Sequence, residues 1–427
     1  MRDVIGMLLA GGRVEELSVL TAGRTKAAVP FGGQYLIVDF ALSCLMQAGI
    51  EMVGVLSLYR PYHLISHLGT GEPWDLVGRG RGIKILPPYL GDGRRRWHRG
   101  TADAMYQYTD FIQEYEPRDI LVLSADHVYH LDFRPLVEQH RRTGADLTMV
   151  VKDMDPQIGK GRFGVVQMDE QGCVTGYQEK PERADSRLVS LSMYLFKADV
   201  LVERLEENVR SKQGHQLASE VISSMLGRDR VHAFTHQGYW NYVRTVDAYY
   251  QANRDLLGDD PPIRLDRWGI RTRPALQGLG DTPPVRHASP SVCRNSVVST
   301  GCRIEGEVEG CVLGPGVVVE AGAMVQDSIL MQDAVVRSGA RVERAILDSK
   351  VEVLAGARLG EGDPAVSNRK HPDALSGGVT LVGARTIIPA GARVGTNCII
   401  PPGLQADRWK SSHIADGRTL DPRGGAR

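Results

Sequence analysis

A few residues in the N-terminal half have the types and positions for phosphate chemistry. The apolar run Val4-Ile5-Gly6-Met7-Leu8-Leu9 ends in Ala10-Gly11-Gly12. Two successive glycines, lacking Cβ atoms, let backbone N–H groups approach a phosphate closely. Lys26 follows within reach of the same anion, and Arg24 stands nearby. A second apolar run, Ile120-Leu121-Val122-Leu123-Ser124-Ala125, ends in Asp126. A carboxylate just past the carboxyl end of a buried parallel strand sits where α/β sheets bind ligands. It suits Mg²⁺, which takes one or two carboxylates together with phosphate oxygens. The bland alternatives are a plain tight turn for Gly11-Gly12 and a helix or turn cap for Asp126. His127 and His130 read as surface residues or local hydrogen-bond partners, not metal ligands.

These residues need a scaffold. Through about residue 255, apolar runs at 4–10, 52–57, 120–125 and 146–151 alternate with helix-like segments such as 103–114 and 134–143. Continuous Val/Ile/Leu runs between helices imply an α/β domain with a mostly parallel sheet covered on both faces. Residues 256–290, with Asp259-Asp260-Pro261-Pro262 and Asp281-Thr282-Pro283-Pro284, read as an irregular linker.

From about 291 the rhythm changes. Leu313, Val319 and Val325 are six apart, as are Leu330, Val336 and Val342, and then Leu347, Val353 and Leu359. Each trio begins 17 residues after the last, and Val382, Ile388, Val394 and Ile400 resume the step after an interruption at 360–380. A step of six with Gly and Ala between the apolar positions predicts a three-sided parallel β-helix over 291–403. The interruption reads as a loop thrown out from one rung, and 404–427 as a frayed C-terminal tail.

Composition narrows the function classes. The 427 residues carry 51 basic and 51 acidic side chains, so no cationic excess points to nucleic acid, and no run of eighteen apolar residues points to a membrane span. No signal peptide is read at Met1-Arg2-Asp3. The six cysteines contain no CxxC pair and read as reduced core residues, which makes the cytoplasm the expected location.

The motifs resemble those of the bacterial ADP-glucose pyrophosphorylase (glucose-1-phosphate adenylyltransferase) family across nearly the whole chain. The matching stretches include Leu9-Ala10-Gly11-Gly12-Arg13, Ala28-Val29-Pro30-Phe31-Gly32-Gly33, Trp97-His98-Arg99-Gly100-Thr101-Ala102-Asp103-Ala104 and Ser124-Ala125-Asp126-His127. Arg162-Phe163-Gly164-Val165, Glu179-Lys180-Pro181 and Gly238-Tyr239-Trp240 also match. The resemblance implies a Rossmann-like nucleotidyltransferase domain followed by a left-handed β-helix of hexapeptide repeats. It implies that ATP and glucose 1-phosphate give ADP-glucose and pyrophosphate for glycogen synthesis, with Mg²⁺ as cofactor. Carried over by motif, Asp126, Lys26 and Arg24 would be catalytic, with Asp126 holding the metal. Gly11, Gly12, Arg13, Gly100 and Thr101 would bind the nucleotide. Glu179, Lys180, Ser190, Gly164 and Trp240 would face the sugar phosphate. The resemblance further implies a tetramer of identical or related subunits.

Several positions depart from the family pattern. Val14 stands for a glycine in the phosphate loop, and Glu16 for an arginine expected to meet the triphosphate. Tyr242 stands for an aspartate that would be the second Mg²⁺ carboxylate, in Trp240-Asn241-Tyr242-Val243-Arg244-Thr245, where the family has glycine at the position of Arg244. His215-Gln216-Leu217-Ala218 and Ser190-Leu191-Ser192 also differ, and Gly23 stands where some members carry an activator-binding lysine. A glutamate about 5 Å from a phosphate charge, at an effective dielectric of about 20, would be worth roughly 3 kcal/mol of repulsion, or about a hundredfold in rate or affinity. Val14, Glu16 and Tyr242 are therefore expected to weaken catalysis. The alternative reading is a non-catalytic or weakly catalytic regulatory subunit of a mixed tetramer.

Overall fold

The computed structural model describes residues 1–12, 14–88, 99–155, 161–211, 214–273 and 282–422. Nine strands form one sheet: β1 (Val4–Leu9), β2 (Met52–Leu56), β3 (Gly82–Leu86), β4 (Asp119–Ser124), β5 (Leu147–Asp153), β6 (Val165–Met168), β7 (Val174–Gln178), β8 (Leu188–Lys197) and β9 (Val231–Thr235). Their order is β7-β6-β8-β4-β1-β2-β3, with β5 beside β8 and β9 beside β5. β3, β2, β1 and β4 are mutually parallel. Only β7 and β8 run against the rest, so the sheet is mostly parallel.

Alternation along each buried strand sends residues to opposite faces. Val4, Leu8, Val53, Val55, Leu121 and Leu123 join one apolar core, and Ile5, Met7, Met52, Leu56, Ile120 and Val122 join the other. Helices α1 (Val38–Gln47), α2 (Thr101–Tyr106), α3 (Phe133–Thr143) and α4 (Ala198–Ser211) cover them. α1 and α3 lie on the first face, α2 and α4 on the second. The helix expected over 103–114 is broken. α2 ends at Tyr106 and a second helix runs Thr109–Tyr115. Tyr108 between them leaves helical dihedrals (φ −120°, ψ 29°) and donates its hydroxyl to Pro87 O.

The C-terminal region is a left-handed β-helix made of three parallel sheets, with strands from Arg286–His287 to His413–Ile414. Through the middle of the coil neighbouring rungs pair 17 residues apart, as Val318 with Val335 and Val325 with Val342. The residues at the step of six point inward: Leu313, Val319, Val325, Leu330, Val336 and Val342 are all buried in one core. Gly322, Gly339 and Gly356 turn the same corner of successive rungs at φ 75°, 70° and 70°, a conformation that favours glycine. The segment read as a frayed tail is instead built into the coil through residue 422. Leu404, Ile414 and Leu420 are buried in the same core, and Leu420 N donates to Ile399 O at 2.9 Å.

One face of the coil differs from the other two. Its strands carry apolar pairs of which both members are buried: Val312-Leu313, Ile329-Leu330, Ile346-Leu347, Leu381-Val382 and Ile399-Ile400. The second of each pair fills the coil, and the first faces outward into a further core shared with the N-terminal lobe. Phe31, Phe40 and the buried face of α5 (Val246–Arg254), namely Val246, Tyr249 and Ala252, pack there. Polar links flank this seam. Arg254 Nη1 meets Asp327 Oδ1 at 2.5 Å, and Asp247 Oδ2 accepts from Ser376 N and Gly377 N at 2.7 and 3.0 Å. Gly33, at φ 86°, lies so close that a Cβ would sit 2.4 Å from Ser299 Oγ. Among the described residues no helix is long and apolar enough to cross a membrane.

The seam makes an outward-facing coil residue behave as core. Ile346→Ala should lower stability by about 2–4 kcal/mol, as in a packed interior. Val335→Ala, outward on an open face, should cost less than about 1 kcal/mol. Thermal unfolding of the two variants beside the parent checks this, and equal losses would refute the assignment of the seam.

Candidate active site

The parallel strands β1, β2 and β4 all end at one edge of the sheet, and a cavity of about 670 Å³ opens there. Gly11 and Gly12 follow β1, Ser57 and Leu58 follow β2, and Asp126 follows β4. Gly100 and Thr101, at the start of α2, close one side. Glu179 and Lys180 after β7, and Ser192 and Tyr194 on β8, close the other. The register of β8 shifts between Ser190 and Tyr194, and such bulges commonly re-aim side chains beside active sites. Ser192 sits in this bulge at φ 56°, where the family pattern has glycine.

Three glycines have different local reasons. A Cβ on Gly12 would meet nothing within 4 Å, so its backbone is open to the cavity. A Cβ on Gly100 would lie 2.2 Å from His215 O, the acceptor for Ala102 N at 2.8 Å. Gly100 therefore lets the start of α2 dock on the 214–217 segment as well as lining the cavity. Gly164 is outside the cavity lining. A Cβ there would strike the Tyr177 hydroxyl at 2.2 Å, and that hydroxyl donates to Glu179 Oε2. Gly164 thus leaves room for the tyrosine that orients Glu179. Lys180 Nζ is 3.0 Å from Glu179 Oε1, and the lysine is half exposed.

The charged centre is Asp126. Its Oδ2 is 3.2 Å from Lys26 Nζ, and its Oδ1 accepts from Ser124 Oγ and lies 3.5 Å from His127 Nε2. Burial pushes the Asp126 carboxyl up, but Lys26, His127 and the Ser124 hydrogen bond bring it down to about 2, so it stays ionised. Burial pushes the Lys26 ammonium down to about 8 against the opposing pull of Asp126. Lys26 lies beneath the carboxylate, with its Nζ also donating to Tyr242 O at 2.5 Å. His127, expected at the surface or as a local hydrogen-bond partner, is buried and is the latter. Burial lowers it to about 4, and Trp240 Nε1 donates to its Nδ1 at 3.2 Å. Trp240 thus acts on His127 from outside the cavity lining. Ser190 is buried with its Oγ 3.2 Å from Tyr194 OH. His130 is stacked on Trp268.

Arg24 is not brought to this cavity. Its Nη2 lies 2.8 Å from both carboxylate oxygens of Asp348 on the coil, and the ion pair draws the side chain to the seam instead. Arg13, Trp97 and His98 lie outside the described residues. Gln216, Ser192, Leu58 and Arg99 line the cavity and were not picked from sequence as site residues. Gln216 had a signal: it lies in the segment where the family pattern breaks, and Thr101 Oγ1 reaches its Oε1 at 3.3 Å.

The departures resolve into particular contacts. Val14 is extended (φ −114°, ψ 107°) and turns its side chain into the core with Leu17 and Leu20, so its Cβ crowds no phosphate. Glu16 is paired: Arg244 Nε meets its Oε1 at 2.7 Å, which offsets the expected repulsion. Arg244 Nη1 donates to Tyr242 OH at 3.0 Å, and the Tyr242 ring lies 4.1 Å from Lys26 Nζ. Among the described residues no cluster of three or more His, Cys, Asp or Glu is placed to hold a metal.

The family described as Nucleotidyl transferase matches residues 5–258, and that described as GlmU-like, C-terminal hexapeptide matches 285–382. The chain belongs to the nucleotidyl transferase family. A glucose-1-phosphate adenylyltransferase of Thermomicrobium roseum is 41% identical, over 99% of this chain and 98% of that protein. Those of Pseudothermotoga lettingae and Acetivibrio thermocellus are 38% and 34% identical, each over 98% of both chains. In nucleotidyl transferase terms, the glycine turn, the ionised Asp126 and the Glu179–Lys180 pair share one cavity large enough for a nucleotide and a small polar co-substrate.

Gly12 and Gly100 separate binding from packing. Gly12→Ala should leave stability within about 0.5 kcal/mol while weakening nucleotide binding. Gly100→Ala should unfold at lower temperature, because a backbone carbonyl cannot yield. Thermal unfolding and nucleotide titration of both variants check this, and an unaffected affinity in Gly12→Ala would refute the cradle.

Proposed function

We propose that this protein transfers the adenylyl group of ATP to glucose 1-phosphate, releasing ADP-glucose and pyrophosphate, as a glucose-1-phosphate adenylyltransferase. The observation that carries the reading is that Gly11–Gly12, Asp126 and Glu179–Lys180 converge on one cavity at the carboxyl ends of β1 and β4. A phosphate oxygen of the sugar phosphate attacks the α-phosphorus, and the bond to pyrophosphate breaks. The open backbone at Gly12 receives nucleotide phosphates. Glu179, held by Tyr177, accepts sugar hydroxyls, and Lys180 pairs with the sugar phosphate. Lys26 keeps Asp126 ionised and fixed. Such positioning and charge stabilisation supply most of the catalysis in phosphoryl transfer.

Asp126 fits a divalent cation, Mg²⁺ by its chemistry: one ionised carboxylate in the cavity, to be completed by phosphate oxygens. Such an ion would neutralise charge on the leaving pyrophosphate. We take the working form to be a tetramer of identical or related chains in the cytoplasm, and the organisation to be a transferase domain to about 255, a linker up to the first coil strand at Arg286–His287, and the coil from there through residue 422. One observation favours a second reading, that of a slow, regulatory subunit. Tyr242, whose hydroxyl burial pushes up to about 12, lies where a second metal carboxylate would be.

Pyrophosphate release from ATP, Mg²⁺ and glucose 1-phosphate tests the first reading against an Asp126→Ala control, which should lose about a hundredfold or more. Wild-type release at the control's level would end it and leave the subunit reading. That reading expects sharply higher turnover when Glu16→Arg, Arg244→Gly and Tyr242→Asp are combined. Glu16→Arg alone should fail, because it sets two guanidinium groups against each other.

A further inference from the structure

We propose that Arg244 is the side chain that receives the outer phosphates of the nucleotide, and that Glu16 holds its guanidinium ready while the site is empty. This rests on the adenylyl-transfer reading above and assigns the grip on the leaving group. Glu16 lies in the first turn of the segment Glu15–Thr21 that follows the glycine turn, where the family resemblance places a triphosphate-binding arginine. A guanidinium is present at the tip of Glu16, delivered from residue 244 instead, with Nε 2.7 Å from Oε1.

Four observations point the same way. Arg244 is tied to the charged centre by a short relay: Nη1 to Tyr242 OH at 3.0 Å, the Tyr242 ring to Lys26 Nζ at 4.1 Å, and Lys26 to Asp126 at 3.2 Å. Glu16 lies four residues past Gly12 of the cavity, so the guanidinium bonded to it stands between the segment that follows the glycine turn and the relay to Asp126, on the side where nucleotide phosphates leaving the turn would extend. The side chain of Arg244 is 30% exposed and that of Glu16 36%, so the pair is open to exchange. Ion pairs of this exposure are weakly held, whereas a planar guanidinium bonds phosphate through two parallel N–H groups. Finally, Arg162 also acts on Glu16, so a phosphate displacing that carboxylate meets a surplus of positive charge. Tyr242, being neutral, does not compete for Arg244 as a carboxylate would.

The test is equilibrium binding of ATP with Mg²⁺, pyrophosphate and AMP to the full chain and its variants by calorimetry. Arg244→Gln should weaken ATP and pyrophosphate by about tenfold or more, in line with loss of a charge-assisted contact, and leave AMP within about twofold. Arg244→Lys should fall between the two. Glu16→Gln, which removes the competing carboxylate and keeps the arginine, should tighten ATP and pyrophosphate, and it carries the test alone if Arg244→Gln does not fold. An unchanged ratio of ATP to AMP affinity in Arg244→Gln would overturn the role of Arg244, whether both affinities fall or neither does. So would weaker ATP binding in Glu16→Gln. Wild-type protein that binds no ATP would defeat the adenylyl-transfer reading itself, an outcome separate from a wild type that binds with an unmoved variant ratio.

Discussion

The apolar seam between the sheet domain and the coil holds the rest in place. The segment after the glycine turn has little regular hydrogen bonding of its own. Residues 15–21 are a kinked 3₁₀ turn, with Ser18 at φ 51° and ψ −121°. Its shape is set by Val14, Leu17, Leu20, Val29 and Phe31, whose side chains share a core with Val312, Ile329 and Ile346 of the coil. Lys26 lies within this stretch and reaches Asp126 from below. The cation beneath the Asp126 carboxylate is thus positioned by hydrophobic burial along a surface supplied by residues about three hundred positions later.

Charge is placed with similar economy around that carboxylate. Lys26 and Asp126 are both largely withdrawn from water, so each depends on the other, and on Ser124 and the Tyr242 carbonyl, to offset desolvation. The altered positions 16, 242 and 244 form one bonded group beside this pair. Taken singly, a glutamate near a triphosphate and a tyrosine in place of an acid look like losses. Taken together, they conserve a guanidinium and a packed aromatic wall made of Phe163, Trp240 and Tyr242.

The sequence was most legible where periodicity carries the signal. The step of six from Leu313 to Ile400 specifies the coil because every inward position must be apolar. The unbroken runs at β1 and β4 specify buried parallel strands because both faces are covered. Asp126, Gly11 and Gly12 were legible because strand ends locate α/β sites. Arg24 was not, because its partner Asp348 lies 324 residues away and pairwise contacts at that range leave no local trace. The Glu16–Arg244 pair was hidden in the same way, though two opposite charge changes at those positions were a readable hint. The seam left no such sign: a second side of the coil also carries adjacent apolar residues, Val318-Val319, Val335-Val336 and Ile387-Ile388, and only packing against the N-terminal lobe buries the outward member of each pair on the seam side. Of the two readings of His127, the local hydrogen-bond partner holds and the surface position does not, because Trp240 and the Tyr242 ring cover it.

The interruption in the coil has an arithmetic of its own. Thirty-five residues separate Leu347 from Val382, one rung of seventeen and eighteen more. Yet the two remain direct neighbours in the stack, and Val353 with Ile388 and Leu359 with Val394 keep the same offset. The extra chain leaves and rejoins without shifting the phase of any later rung, while its Ser376 and Gly377 reach back to α5. A spiral staircase of this kind treats inserted text as a side landing: sequence can lengthen at a corner, acquire a tether to another part of the molecule, and leave every step above it at its old address.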